Sequence, residues 1–184
     1  MDRDAAARAI HAFLCALGRD PTQDPHLVGT SDRVAAAFAD ELLAGYAVDT
    51  DALLAASVFA GHSELVVVRD LPITTTCPHH LMPATGIACV AFAPDEHLVG
   101  VGTVGRLVEA YSRRLSLQEQ VGERVVAALQ KHLSPRWSAC RIALSHACMI
   151  ARGERAHGSR VETLAVAGGQ VDDSVVYAAL AVGR

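Results

Sequence analysis

One cysteine and two adjacent histidines stand close together in this chain, in the segment TTTCPHHLMP. Cys77 and His80 form a C-x2-H pair, a spacing that lets a tight turn present two ligands to one metal ion. His79 lies between them and is a residue type that moves protons near neutral pH. The segment therefore predicts a site for metal binding and proton transfer.

A second group of the same residue types follows near the end of the chain, in RIALSHACMIA. If this segment is a β-strand, His146 and Cys148 lie on the same side, because side chains alternate with a period of two. Two cysteines and one histidine would leave zinc a fourth position for water, as in catalytic sites. A structural zinc site with four protein ligands is the alternative, formed by Cys77, His80, His146 and Cys148.

Polar residues between and after these segments offer contacts to a substrate. The Glu119 carboxylate could accept the adjacent N1–H and N2–H2 donors of a guanine edge. Its spacing from Ser116 fits a capping box at a helix start, and spacing alone favours this cap over recognition of guanine. Four arginines stand near the central elements of an acidic chain, and they are Arg106, Arg113, Arg114 and Arg152. Arg152 directly follows the second segment, where it could hold an anion.

Two amphipathic helices are predicted at the N-terminus. Apolar residues recur at helical spacing over residues 4–17, and Gly18 suits the end of that helix. A cap at Ser31 or Asp32 would open the second helix. We assign residues 1–60 to an N-terminal helical region.

Strand patterns replace the helical pattern from about residue 64 onward. ELVVVRD runs as a strand towards Thr76, and TGIACVAFAP with HLVGVG forms a second strand or strand pair. About thirty residues of helical pattern follow, and then RIALSHACMIA and SRVETLAVAG return to strands. The order ββααββ predicts an α+β fold over residues 61–184, with an antiparallel sheet and a helix pair on one face. Its unpaired edges favour homo-oligomerisation.

Composition and charge limit the classes of function. A formal charge of −4 and a pI near 6.1 give no basic field for nucleic acid. The N-terminus lacks the pattern of a signal peptide, and no apolar stretch is long enough to span a membrane. Five irregularly spaced cysteines favour a reducing compartment, and we interpret Cys15, Cys89 and Cys140 as packing residues. We expect a cytoplasmic protein without nucleic-acid or membrane partners.

Four ordered segments between about Thr30 and Gly169 resemble motifs of the GTP cyclohydrolase I family. They are TSDRVAAAFADELLAGY, CPHHLMPATG, LVEAYSRRLSLQEQV and SHACMIARGERAHGS. The resemblance implies a tunnelling fold, assembled into a homodecamer with active sites between subunits. It also implies a hydrolase of pterin and tetrahydrofolate biosynthesis that opens the imidazole ring of GTP, releases formate and yields dihydroneopterin triphosphate.

The resemblance assigns a role to each candidate residue. It implies a Zn²⁺ ion with a bound water, held by Cys77, His80 and Cys148. It implies proton transfer by His79 and His146. It implies a small-molecule substrate, GTP or a related heterocycle, contacted by Gln118, Glu119, Arg106 and Arg152.

The chain departs from the family pattern where phosphate is bound. The family has G-L-S-K-L-A-R where this chain has GVGTVGR, so Gly102 and Thr103 replace a serine and a lysine. Pro78 replaces a glutamate after the first cysteine, and Ala156 replaces a lysine after the R-G turn. Each lost charge-assisted contact costs about 1.5–3 kcal/mol. Hydrolytic residues are kept while phosphate contacts are fewer.

Three functions follow as hypotheses. The first is a divergent GTP cyclohydrolase I. The second is a zinc-dependent hydrolase of the same fold that acts on a different, less phosphorylated purine-like or other heterocyclic substrate. The third is a non-enzymatic, zinc-stabilised assembly or binding module, which requires four protein ligands and no open metal position.

Overall fold

The computed structural model describes residues 1–181 of the chain. The chain forms two compact units, residues 1–44 and the residues from 45 onward. The domain division predicted at residue 60 stays a prediction, and residues 182–184 of its second domain lie outside the described residues. None of the helices in the described part is long and apolar enough to cross a membrane.

The first unit contains two α-helices and a π-helical segment. Helix α1 spans Arg3–Ala16, helix α2 spans Thr30–Ala36, and the π-helical segment spans Ala37–Leu42. Gly18, with a φ of 72°, follows the end of α1, in agreement with the sequence prediction.

Two details of the first unit differ from the sequence predictions. The cap predicted at Ser31 or Asp32 is wrong, because α2 already begins at Thr30, directly after Gly29 in the left-handed conformation. Cys15 is exposed and is therefore not a packing residue. It lies on α1, which has no buried residue, so the apolar spacing of this helix did not predict burial.

The second unit consists of a mixed set of helices and antiparallel strands. After a short 3₁₀ helix over Ala44–Ala47, its elements are α3 (Thr50–Ala55), β1 (Val58–Ala60), β2 (Val66–Thr76), β3 (Pro83–Ala93), β4 (His97–Val99), α4 (Val101–Ser112), α5 (Gln118–Leu133), β5 (Trp137–His146), α6 (Ala147–Ile150), β6 (Val161–Gly168) and α7 (Asp173–Leu180). This order contains the predicted ββααββ series and confirms the α+β class.

The main sheet has four antiparallel strands in the order β2-β3-β5-β6. Strand β4 does pair, but with β1 in a separate two-stranded sheet rather than with β3. In the main sheet the register sets Ala84 opposite His146 and Thr76 opposite Pro83. The end of β2, the start of β3 and the end of β5 are therefore neighbours, and this corner carries the candidate site.

The two faces of the main sheet are covered by different helices. Alternate residues of β3 and β5, among them Val90, Phe92 and Ile142, pack against α4 and α5. The intervening residues, including Ala91 and Ala139, pack against α7 on the other face. Cys140 and Cys89 are buried, as predicted, and belong to opposite faces. The helix pair thus forms one layer, and the single helix α7 adds a second.

Candidate active site and metal centre

The turn that joins β2 to β3 carries the cysteine and both histidines of the first segment. The N–H of Cys77 donates to the Met82 carbonyl (2.9 Å), and the Cys77 carbonyl accepts from the N–H of Leu81 (2.9 Å). Leu81 has a φ of 52°, which reverses the chain into β3. Pro78 has its φ fixed near −65°, which suits the first position of such a turn. The backbone therefore gathers Cys77, His79 and His80 at one end of the hairpin.

The second segment, RIALSHACMIA, does not continue as a strand to its end. Strand β5 ends at His146, and Cys148 lies in the one-turn helix α6. The prediction that His146 and Cys148 share one face of a strand is therefore wrong. The alternating pattern of the sequence persisted beyond the last residue that pairs with β3, Ala84 opposite His146. The helical turn folds Cys148 back towards Cys77.

Three donor atoms converge at this corner of the sheet. One ligand atom from each of Cys77, His80 and Cys148 lies within 4.8 Å of the other two. The Sγ of Cys77 is 4.0 Å from Nδ1 of His80. A tetrahedral zinc ion with ordinary bond lengths requires donor separations of about 3.5–3.8 Å. Small side-chain rotations would therefore bring these donors to a metal ion.

The charges around Cys148 agree with a cation site. Burial raises the pKa of the Cys148 thiol, and the neighbouring Cys77 raises it further, while Arg152 lowers it. Two thiols this close disfavour each other's ionised form in the absence of a positive charge. Two sulfur donors and one imidazole are a donor set that zinc prefers. The residues present fit a zinc ion.

His79, by contrast, is outside the converging set. Its Nδ1 is 3.9 Å from the Cys77 Sγ, yet it does not lie within 4.8 Å of all the other donors. Its ring meets the His80 ring edge to face at 6.4 Å between centroids. Both histidines are exposed on the same rim. His79 is thus adjacent to the three donors without being one of them.

A cavity of about 230 Å³ connects these residues with the start of α5. Its lining includes Cys77, His79, His80, Gln118, Glu119, His146 and Cys148. The volume is below the range of about 300–1,000 Å³ that encloses a drug-sized ligand. One chain therefore surrounds only part of a ligand as large as a nucleotide.

The side-chain amide of Gln118 contacts the His146 ring and orients it. The amide Nε2 of Gln118 donates towards the carbonyls of Ile142 (2.9 Å) and Val161 (2.9 Å) and the Thr163 hydroxyl (3.1 Å). These acceptors fix which end of the amide is oxygen, and that oxygen lies 2.8 Å from Nε2 of His146. Since a carbonyl oxygen only accepts, Nε2 of His146 must carry a proton. Nδ1 is then the nitrogen free to accept a proton when the ring is neutral.

The electrostatic surroundings of His146 favour the neutral ring. Burial lowers the pKa of His146, and the negative charge of Glu119 partly opposes this effect. His146 is therefore neutral at neutral pH, with one donor nitrogen and one acceptor nitrogen.

Glu119 is free for a role other than helix capping. The capping box predicted from Ser116 and Glu119 is wrong, because α5 begins at Gln118 and it is Gln120 that accepts from the Leu117 N–H (3.4 Å). The Ser116 hydroxyl accepts instead from Arg124 (3.0 Å). Glu119 is exposed at the first turn of α5 and lines the cavity.

The two arginines predicted to contact the substrate lie in different parts of the fold. Arg106 does not line this cavity. It borders a separate one of about 380 Å³ between β2 and α4. Its Nη2 donates to the Thr103 hydroxyl (3.1 Å), which donates to the Ser57 hydroxyl (3.0 Å). Arg152 is exposed and near enough to Cys148 to lower the pKa of its thiol.

The remaining two arginines have partners within the fold. Arg113 forms an ion pair with Glu109 (2.9 Å). Arg114 lies over the rings of Tyr46 and Tyr111, at 5.6 and 5.2 Å from their centroids. Arg114 therefore packs against aromatic side chains, whereas Arg113 is held by an ion pair within one turn of helix.

Comparison with known proteins decides the family. The family model for GTP cyclohydrolase I matches residues 6–181. The chain belongs to the GTP cyclohydrolase I family. The enzyme named GTP cyclohydrolase 1 from Mycobacterium tuberculosis (strain ATCC 25618 / H37Rv) is 38% identical over 91% of this chain and 83% of its own length. That from Bartonella henselae is 36% identical over 92% of this chain and 82% of its own length.

A solved structure shows the same fold at much lower identity. The archaeosine synthase QueF-Like in its apo form superposes with a TM-score of 0.50 and 16% identity, over 60% of this chain and all of that one. The similarity supports the tunnelling fold predicted for this chain. Membership of the GTP cyclohydrolase I family confirms the resemblance and the enzyme class predicted from the sequence.

The structure shows side-chain hydrogen bonds near the predicted site residues that the sequence motifs did not indicate. Gln118 was predicted as a substrate contact, whereas the residue is only 3% exposed and its amide bonds to protein acceptors and to His146. The hydroxyls of Thr103 and Ser57, 46 residues apart, form a chain to Arg106. No local spacing links such distant residues, so only the fold could identify them.

Proposed function

We propose that this protein is a zinc-dependent GTP cyclohydrolase that opens the imidazole ring of guanine, releases formate and yields dihydroneopterin triphosphate. One observation carries the proposal. The convergent donors Cys77, His80 and Cys148 border the same cavity as His146 and Glu119. Metal ligands, a neutral histidine and a carboxylate are the groups needed to hydrolyse and anchor a purine.

Cys77, His80 and Cys148 would hold the zinc ion. When bound, zinc supplies Lewis-acid activation of a water, lowering its pKa towards about 7 so that a nucleophile forms without a strong base. The other groups of the cavity then have to bind the purine, orient it and move protons.

His146 is suited to accept a proton at a defined atom. Gln118 occupies its Nε2 proton, so Nδ1 has the free lone pair of the neutral ring. His79 is the second proton carrier in this proposal. It is exposed at the rim beside Cys77, where it can exchange protons with solvent.

Glu119 would anchor the base. Guanine presents N1–H and N2–H2 side by side, and one carboxylate can accept from both. Glu119 lies at the start of α5, next to Gln118, so base recognition and orientation of His146 come from the same helical turn. A misplacement of that turn would affect both steps.

Arg106 and Arg152 would bind the triphosphate, with an oligomer completing the site. Arg106 borders a different cavity from the metal donors of its own chain, so we propose that it serves the site of a neighbouring subunit. Strands β2 and β6 are the edge strands of the main sheet, and their outer edges are surfaces on which subunits can associate. We propose a homodecamer, located in the cytoplasm because its free cysteines suit a reducing compartment.

The test is turnover by purified, zinc-loaded protein. GTP should give one formate per pterin, and the pterin should be fluorescent after oxidation. Static light scattering should give a mass near ten times the 19.4 kDa chain. Absence of both products at millimolar GTP, from an oligomer that contains zinc, would contradict the proposal.

A second candidate is a hydrolase of the same fold acting on a less phosphorylated heterocycle. It is favoured by Thr103, which stands where the family resemblance implies a lysine and is only 3% exposed, bonded to Ser57 and Arg106. Comparing kcat/KM for guanosine, GMP and GTP separates the two. Preference for guanosine or GMP supports the second candidate, and a steep rise towards GTP excludes it.

A further inference from the structure

A second set of metal-binding side chains lies in the first unit. His11, Cys15 and Asp20 each offer a ligand atom, and these three atoms lie within 4.8 Å of one another. We propose that His11, Cys15 and Asp20 form a binding site for a divalent transition-metal ion of the zinc class, additional to the site at Cys77.

The helix gives two of the ligands a common face. His11 and Cys15 are four residues apart in α1, and residues at this spacing are neighbours on a helix surface. Side chains of an α-helix lean towards its N-terminus, so the Cys15 side chain leans towards the turn that carries His11. Cys15 is exposed, and its thiol is open to an incoming ion.

The turn after α1 returns the third ligand to the same end of the helix. Gly18 adopts a φ of 72°, and the Arg19 N–H donates back to the Leu14 carbonyl (2.9 Å). This is the 6→1 bond of a Schellman motif, in which glycine tolerates the left-handed conformation that other residues resist. The reversal brings Asp20 close to Cys15 although the helix itself has ended.

Asp20 is held in an orientation that leaves one oxygen for a metal. Its Oδ1 accepts from the N–H and the hydroxyl of Thr22, both at 2.8 Å. Both hydrogen bonds engage Oδ1, so they set the orientation of the carboxyl group and leave its other oxygen, Oδ2, for coordination.

The donor types select the class of ion. A thiolate, an imidazole and a carboxylate together suit zinc, cobalt or nickel, whereas magnesium and calcium prefer all-oxygen sites. One thiolate and one carboxylate also balance the charge of a divalent ion. Three protein ligands leave a fourth position for water.

The experiment removes the other site first. A full-length Cys77→Ser, Cys148→Ser variant is stripped of metal and titrated with Co²⁺, with the thiolate-to-cobalt charge-transfer absorbance as the readout. We expect this band to appear with one Co²⁺ per chain and to be lost when Cys15→Ser is added. His26→Ala, which changes an exposed histidine of the same unit, should leave the band unchanged.

Metal stoichiometry of the otherwise unaltered chain provides a second measurement. After saturation with zinc and removal of free ion, the natural sequence should hold two zinc ions per chain and Cys15→Ser one. Turnover by Cys15→Ser should match that of the natural sequence, since the variant keeps the other ligands. Absence of the cobalt band, or retention of two zinc ions after Cys15→Ser, overturns the proposal.

Discussion

The Oε1 of Gln118 lies 2.8 Å from Nε2 of His146, and the amide that carries this oxygen is fixed by acceptors on two strands. A residue at the first turn of a helix thereby determines which nitrogen of a strand-end histidine holds the proton. The contact joins α5 to β5 at the site, so the protonation pattern of the cavity depends on how the helix packs on the sheet.

Removing the Gln118 side chain should impair turnover more than substrate binding. Gln118→Ala frees the His146 ring and removes the amide donor to the Ile142 and Val161 carbonyls, which costs about 0.5–1.5 kcal/mol of stability per hydrogen bond. We expect kcat to fall about tenfold or more with little change in KM. Gln120→Ala, which removes only a cap on Leu117, is the control for general damage to α5. Equal losses in both variants would contradict the orienting role.

Neutralising Glu119 should weaken recognition of the base. Glu119→Gln keeps one acceptor and loses the charge and the second, for a cost of about 1.5–3 kcal/mol, or roughly 10- to 150-fold in kcat/KM for GTP. Glu123→Gln, one helical turn further and outside the metal cavity, should retain activity. The proposed anchor is refuted if Glu119→Gln behaves like Glu123→Gln.

Restoring the phosphate-binding residues implied by the family resemblance should succeed at one position and fail at the next. A side chain at Gly102 meets nothing within 4 Å, so Gly102→Ser should fold normally and lower KM for GTP. Thr103 is buried and hydrogen-bonded, so Thr103→Lys should lower the melting temperature by about 5 °C or more. Thermal unfolding and steady-state kinetics check both, and a stable Thr103→Lys protein would contradict the burial argument.

Thiol reactivity should divide the five cysteines by environment. Burial raises the pKa of Cys140 to about 12, and Cys89 is also buried with a raised pKa, so neither should react with an alkylating reagent at pH 8 in the folded protein. Cys15, Cys77 and Cys148 should react after metal removal, and zinc should protect Cys77 and Cys148, and also Cys15 through the site proposed in the first unit. Peptide mass spectrometry locates the labels, and zinc-independent labelling of Cys77 would argue against the metal centre.

An ion-pair cluster around Asp51 should make the free energy of unfolding depend on pH in the acidic range. The carboxylate of Asp51 contacts Lys131 (2.7 Å) and His132 (2.7 Å), and these hydrogen bonds lower its pKa. A lowered pKa contributes stability that is present above the unfolded value near 3.8 and is lost as pH falls through the folded value. The urea midpoint of the natural sequence should exceed that of Asp51→Asn at pH 7, and the difference should shrink as the pH falls below 3.8. Asp95→Asn, at an exposed carboxyl, should show no such convergence.

The periodic patterns of the sequence predicted the main helices and strands correctly. The helices over Val101–Ser112 and Gln118–Leu133, and the strands on either side of them, follow from 3.6- and 2-residue repeats that local sequence contains. The errors occur where a long-range contact sets the backbone. The Ser116 N–H donates to the Thr76 carbonyl (3.3 Å), so the segment before α5 is held at the end of β2 and the helix starts later than its capping pattern indicates.

Only the part of the candidate site that depends on local sequence could be predicted. Cys77 and His80 share one turn, and their spacing is compatible with two ligands on one metal ion. The position of Cys148 depends on where β5 stops, which its partner strand β3 determines. The orientation of His146 depends on Gln118, whose amide reaches acceptors on β5 and β6 across the sheet. Contacts of this kind leave no trace in residue spacing.

The three donors of the proposed zinc site are far apart along the chain, so zinc uptake at this site would depend on the order in which the chain folds. Cys77 and His80 can meet an ion as soon as one hairpin turn forms, whereas Cys148 follows about seventy residues later and reaches it only after β5 has paired with β3. A zinc ion captured by the first two would therefore be held weakly until the sheet is complete. Tight zinc binding would require the folded domain. The rate at which bound zinc becomes resistant to chelators would therefore report how fast β5 pairs with β3.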